Sequence, residues 1–104
     1  MIDTDRLVAD VRRRFPAYYA QASVWEMAWL DALVMARAAY LLGIGTPREG
    51  VEPKARVELE RATDLIEKRF VELRDRVRTS IAFQHLSARE QQRAEEELFA
   101  VEVA

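Results

Sequence analysis

Ser23 to Leu42 reads SVWEMAWLDALVMARAAYLL, and what this stretch is buried against decides the fold. Ser23 and Glu26 form a capping-box pattern that predicts a helix start. Gly43 stands where a left-handed cap is expected to end it. Between them only Glu26, Asp31 and Arg37 carry charge. At about 100° per residue, Glu26 and Arg37 fall close together while Asp31 lies well away from both. No continuous polar face remains, so the helix must bury apolar surface nearly all round, in a protein core or in lipid.

Two properties favour the core. Asp31 and Arg37 fall inside the best membrane window, 27–44, where each costs roughly 2.5–3.5 kcal/mol near a bilayer centre. The longest charge-free runs, 15–25 and 38–47, are too short to cross hydrocarbon. The expectation is therefore no membrane span. The chain has 104 residues, half of them hydrophobic and a third charged, which predicts one globular helical domain over 1–104. MIDTDRLVADVRRRF lacks the apolar stretch of a signal peptide, giving a cytoplasmic expectation. Without cysteine there are no disulfides, thiolate metal sites or cysteine nucleophiles. A net charge of −2 argues against a whole surface gripping nucleic acid.

Outward from the central stretch, Thr4 or Asp3 is positioned to cap a short first helix with Leu7, Val8, Val11 and Phe15 on one side. Arg12, Arg13 and Arg14 fit the negative end of its dipole. Pro16 breaks or kinks the chain at Phe15, so the second helix begins near residue 17 or at Ser23 itself. Residues 43–53, GIGTPREGVEP, hold every glycine and two of the three prolines and predict the inter-helix loop. The glycines lack the GxxxxGK[ST] pattern of a phosphate loop.

From 54 onward there is neither glycine nor proline. Leu59, Ala62, Ile66, Phe70, Leu73, Val77 and Ile81 step by three and four, with Leu65 and Val71 widening the stripe. This predicts an amphipathic helix over about 54–85, ~48 Å long. Asp64–Lys68 and Glu72–Arg76 are spaced as i,i+4 pairs. A second capping-box match, Ser87 with Glu90, predicts a turn near 85–87. A polar last segment folding back would bring Glu95–Glu97 toward Arg74, Arg76 and Arg78.

The fold class that follows is all-α: two long helices, 17–42 and 54–85, with shorter ones before and after. A helix apolar on every side needs three or more neighbours, and this chain offers one good amphipathic partner. Each large apolar side chain left exposed forfeits about 1.5–3 kcal/mol. The expected solution is a homo-oligomer, a two-fold dimer being the economical form, with Tyr18, Tyr19, Trp25 and Trp29 near the shared surface. Another protein is a second class of partner.

His85 is the one histidine, so a metal centre has a poor ligand set, and the expectation is no metal and no cofactor. The carboxylates Glu58, Glu60, Asp64 and Glu67 are interleaved with Arg61 and Lys68, as on a solvated face. Ferritin-like Glu-x-x-His pairs are missing. Arg78-Thr-Ser-Ile-Ala-Phe-Gln-His85, an arginine followed after a short gap by histidine, resembles the catalytic signature of HEPN ribonucleases, which are small all-α dimers. The resemblance implies metal-independent RNA cleavage, with Arg78 and His85 meeting their counterparts across a dimer interface. Arg69, Arg74, Arg76 and Arg78 supply a further alternative, a nucleic-acid-binding helix face. The leading functional expectation is a non-enzymatic interaction or assembly protein acting through helical surfaces.

Overall fold

The computed structural model describes residues 3–101, and within them the chain is all-α, with no strand. The elements are α1 (Thr4–Arg14), α2 (Pro16–Gln21), α3 (Val24–Gly45), α4 (Pro53–Thr79), α5 (Ile81–Gln84) and α6 (Ala88–Ala94), which runs on into a π-helical turn at Glu95–Phe99. α3 and α4 pack along each other as the central pair. α1 packs on α3, α2 bridges α1 and α5, and the π-helical turn after α6 folds back against α3.

The local reasons for each start are visible. Asp3 caps α1, its carboxylate accepting from the Arg6 amide at 3.1 Å. Pro16 opens α2 after the break at Phe15. Ser23 and Glu26 exchange both bonds of a capping box, and so do Ser87 and Glu90. The predicted turn before Ser87 is present.

Four features differ from expectation. The 17–42 helix is two helices, because Ser23 begins α3 afresh rather than lying inside a longer one. α3 then continues through Gly43 to Gly45, with Thr46 as its C-cap. Gly43 is therefore no terminator: it lets α4 approach, since a Cβ there would lie 2.7 Å from Thr63 Oγ1. The glycine in the left-handed region is Gly50, in the loop, at φ 76°.

The fourth difference is the largest. α4 stops at Thr79, not 85, although no glycine or proline forces it. Ser80 turns to extended backbone at ψ 150°, donates its hydroxyl to Val77 O at 2.6 Å and accepts from the Phe83 amide at 3.2 Å. The Ala82 amide donates to Glu26 Oε2 at 3.0 Å. A carboxylate from α3 thus takes up a donor that a new helix start leaves free. The break moves Ile81 off the predicted stripe, to 71% exposure, while Ala82 and Phe83 enter the core. Leu65 and Val71 also face outward rather than widening the stripe.

The core joins Val11 of α1 and Phe15 at its end, Leu30 and Leu33 of α3, Phe70, Leu73 and Val77 of α4, and Phe99. The antiparallel return is held by Arg78, whose guanidinium donates to both Glu95 oxygens at 2.9 and 2.6 Å. The other arginines of that cluster do different work. Arg74 donates to Phe99 O at 3.4 Å, and Arg76 lies 5.8 Å from the Trp29 ring centre. Glu97 is met instead by Arg14 and Arg93.

Glu26 is buried and anchors three elements. Its Oε1 accepts from the Ser23 amide at 2.9 Å, its Oε2 from Ala82, and its backbone carbonyl from the Tyr18 hydroxyl at 2.7 Å. Amide donation, first from Ala82 and then from Ser23, holds its pKa below the ordinary carboxylate value. Burial pushes the Tyr18 phenol up to about 12.

Two predictions follow from these contacts. Glu26→Gln keeps one accepting oxygen and loses the other, so it lowers unfolding free energy by about 1–3 kcal/mol at neutral pH. Because the folded pKa is depressed, that stabilisation is full above the unfolded carboxylate range and is lost as pH falls through the folded value. Urea unfolding across that window should show the gap between wild type and variant closing toward acid. Gly43→Ala gains up to about 1 kcal/mol of helix propensity but overpacks Thr63 at a cost of about 1–3 kcal/mol. The net is destabilising, and Gly43→Ala with Thr63→Ala should recover the loss in thermal melts.

Candidate functional site

The wheel of α3 has two apolar sides, and the fold uses one. Leu30, Leu33 and Val34 are buried in the core with Glu26, and Gly43 is buried against Thr63 of α4. Trp25, Ala28, Met35 and Leu42 are exposed, Ala39 is partly exposed, and Ala32 between them packs partly against the core. Trp25 is 72% exposed, Leu42 60% and Met35 38%; Ala28 is exposed, and Ala32 and Ala39 are partly so. Val24, at 78%, extends the same surface at the helix start. Of the most apolar 18-residue window of α3, 17% is buried.

These six residues step by three, four, three, four and three. Steps of three and four keep these residues on one face of the helix. The sequence shows the helix apolar all round and does not show which side stays open. Leu30, Leu33 and Val34 are equally apolar and hide the difference until their burial is known.

The charges of α3 are kept off this face. Asp31 accepts from Arg12 Nη2 at 2.5 Å and from the Tyr19 hydroxyl at 2.8 Å, tying α3 to α1 and α2. Asp31 raises the Arg12 pKa by hydrogen bonding. Tyr19 is pushed upward by burial and by the same carboxylate. Arg37 donates from Nε to Ala100 O at 3.0 Å, and desolvation lowers its pKa.

At the N-terminal end of the face, Trp25 and Trp29 line a cleft of about 490 Å³ with Arg76, Thr79 and Ile81. Its floor is the Glu26–Ser80 corner, so the same capping that breaks α4 also shapes this cleft.

The four residues expected near a shared surface are divided by the fold. Tyr18 is 1% exposed and belongs to the chain's own core, its hydroxyl used by Glu26 O. Tyr19 is half-buried, edge-on to Tyr18 with ring centres 5.4 Å apart. Trp29 is partly buried under Arg76. Trp25 stands in the open.

The Arg78 and His85 pair is also placed. The Arg78 guanidinium is occupied by Glu95 and lies 5.0 Å from the Phe99 ring centre. His85 is exposed at the end of α5, its backbone amide donating to Ile81 O at 3.1 Å. Among the described residues no hydrogen bond joins the two side chains, and no three His, Cys, Asp or Glu side chains converge as a metal site. Of the basic set on α4, Arg69 is within 3.8 Å of Glu72, while Arg74, Arg76 and Arg78 hold Phe99 O, the Trp29 ring and Glu95.

Comparison with protein-family models, curated proteins and solved structures found no match to the chain. The reading of function rests on the surface itself.

Proposed function

We propose that this chain is a non-enzymatic helical module whose work is association, and that it associates with a second copy of itself through the outer face of α3. The observation that carries this is the uncovered apolar side of an otherwise core-forming helix: Trp25, Met35 and Leu42 exposed on one face of α3. A contiguous apolar surface of this kind marks an interaction site. Water contact at each large side chain forfeits about 1.5–3 kcal/mol that a partner would recover.

Lipid is the competing cover, because α3 is long and apolar enough to cross a membrane. The packing argues against it. α4 lies along α3 and carries fourteen charged residues, which would enter the hydrocarbon with it at about 2.5–3.5 kcal/mol each near the centre. Asp31 and Arg37, midway along α3, are likewise committed to Arg12 and Ala100. Association as a soluble pair satisfies the face without moving any of these.

Sedimentation velocity over a broad concentration range tests the proposal. Wild type should sediment as a concentration-dependent dimer. Met35→Glu places a charge on an exposed position, so it should leave folding within about 0.5 kcal/mol while weakening association at least about tenfold. A wild-type monomer at every concentration, with native helicity by circular dichroism, would overturn the proposal.

A further inference from the structure

We infer that the cleft lined by Trp25, Trp29 and Ile81 is a binding site for a small arylalkyl carboxylate, held by Arg76 at its rim. This goes beyond association and uses neither Met35 nor Leu42. The cleft measures about 490 Å³, inside the range of roughly 300–1,000 Å³ usual for small-molecule sites. It exists because α4 breaks at Ser80. The break takes Ile81 off the α4 stripe and brings it to the same cleft as the two indoles of α3.

The polar groups around the cleft are nearly all spent within the chain, and the one that is not selects the ligand's charge. Both Glu26 oxygens accept amides, from Ser23 and Ala82. The Ser80 hydroxyl donates to Val77 O and accepts from the Phe83 amide. Thr79 donates to Asp75 O, and Ser23 Oγ accepts from the Glu26 amide. Arg76 is different. Arg69 and Arg78 on the same helix are paired with Glu72 and Glu95, whereas among the described residues no carboxylate pairs with Arg76. Its guanidinium lies 5.8 Å from the Trp29 ring centre. One unpaired guanidinium balances one negative charge, and its planar fork matches the two oxygens of a carboxylate. A cationic ligand would meet Arg76 and no free carboxylate.

The indoles choose the body of the ligand. Trp25 is 72% exposed, and stacking a flat ring on it removes two apolar faces from water together. Trp29 already lies beside Arg76, so a ring against it sets a carboxylate on a short arm within reach of the guanidinium.

Trp25 and Trp29 are the chain's two tryptophans, so tryptophan emission reports on the cleft directly. The full-length chain is titrated with phenylacetate, with phenylacetamide, which keeps the ring and loses the charge, and with acetate, which keeps the charge and loses the ring. Phenylacetate should give a saturable change in emission, and the other two should bind at least about tenfold more weakly. Arg76→Gln, at an exposed position, should remove the advantage of phenylacetate over its amide while helicity by circular dichroism is retained. No saturable change with phenylacetate would overturn the inference. So would equal binding of phenylacetate and phenylacetamide, which would leave the cleft a bare apolar surface. Undiminished binding of phenylacetate by Arg76→Gln would place the anion elsewhere and overturn it too. The comparison among ligands is made on the wild-type chain, so it decides the charge requirement even where the variant fails to fold.

Discussion

A single carboxylate organises this molecule. Glu26 closes the N-terminus of α3 through Ser23 and that of α5 through Ala82, while its carbonyl receives the Tyr18 hydroxyl from α2. Helix starts leave amide donors without partners, and burying them costs more than most side-chain contacts return. Placing one acceptor where two starts meet satisfies both at once. The bend between α4 and α5, the orientation of α2 and the floor of the tryptophan cleft all depend on that placement.

Once Glu26 fixes which way α3 is rotated, the rest of its surface is assigned. Leu30, Leu33 and Val34 join Phe70, Leu73 and Val77 in one core, and Trp25, Met35 and Leu42 stay exposed. Asp31 lies at the edge of the covered region, paired with Arg12, and Arg37 lies within its span, donating to Ala100 O. The open face is therefore a consequence of how the core is satisfied.

The capping boxes at Ser23 and Ser87, the break at Pro16, the loop and the Arg78–Glu95 closure were legible because each is written in neighbouring residues or in opposed charge clusters. The end of α4 at Thr79 was not. Nothing local to Ser80 distinguishes it from a helical serine, and the group that makes the break favourable lies 56 residues away at Glu26. Gly43 misled for a related reason, since close approach to Thr63 and a helix stop use the same residue. Tyr18 could be taken for a surface aromatic until its hydroxyl partner was known. Which side of α3 stays open was unreadable, because apolar residues all round the helix give one unbroken signal.

The α5 corner carries a kinetic implication. Four residues cannot sustain a helical turn in isolation, since nucleation costs more than one turn returns. Ile81–Gln84 can order only after α3 has brought its carboxylate alongside, whereas α3 and α4 each hold enough local bonds to form early. The corner is thus a late arrival in folding and an early site of transient opening, and amide hydrogens at Ala82 and Phe83 should exchange ahead of those in the middle of α4.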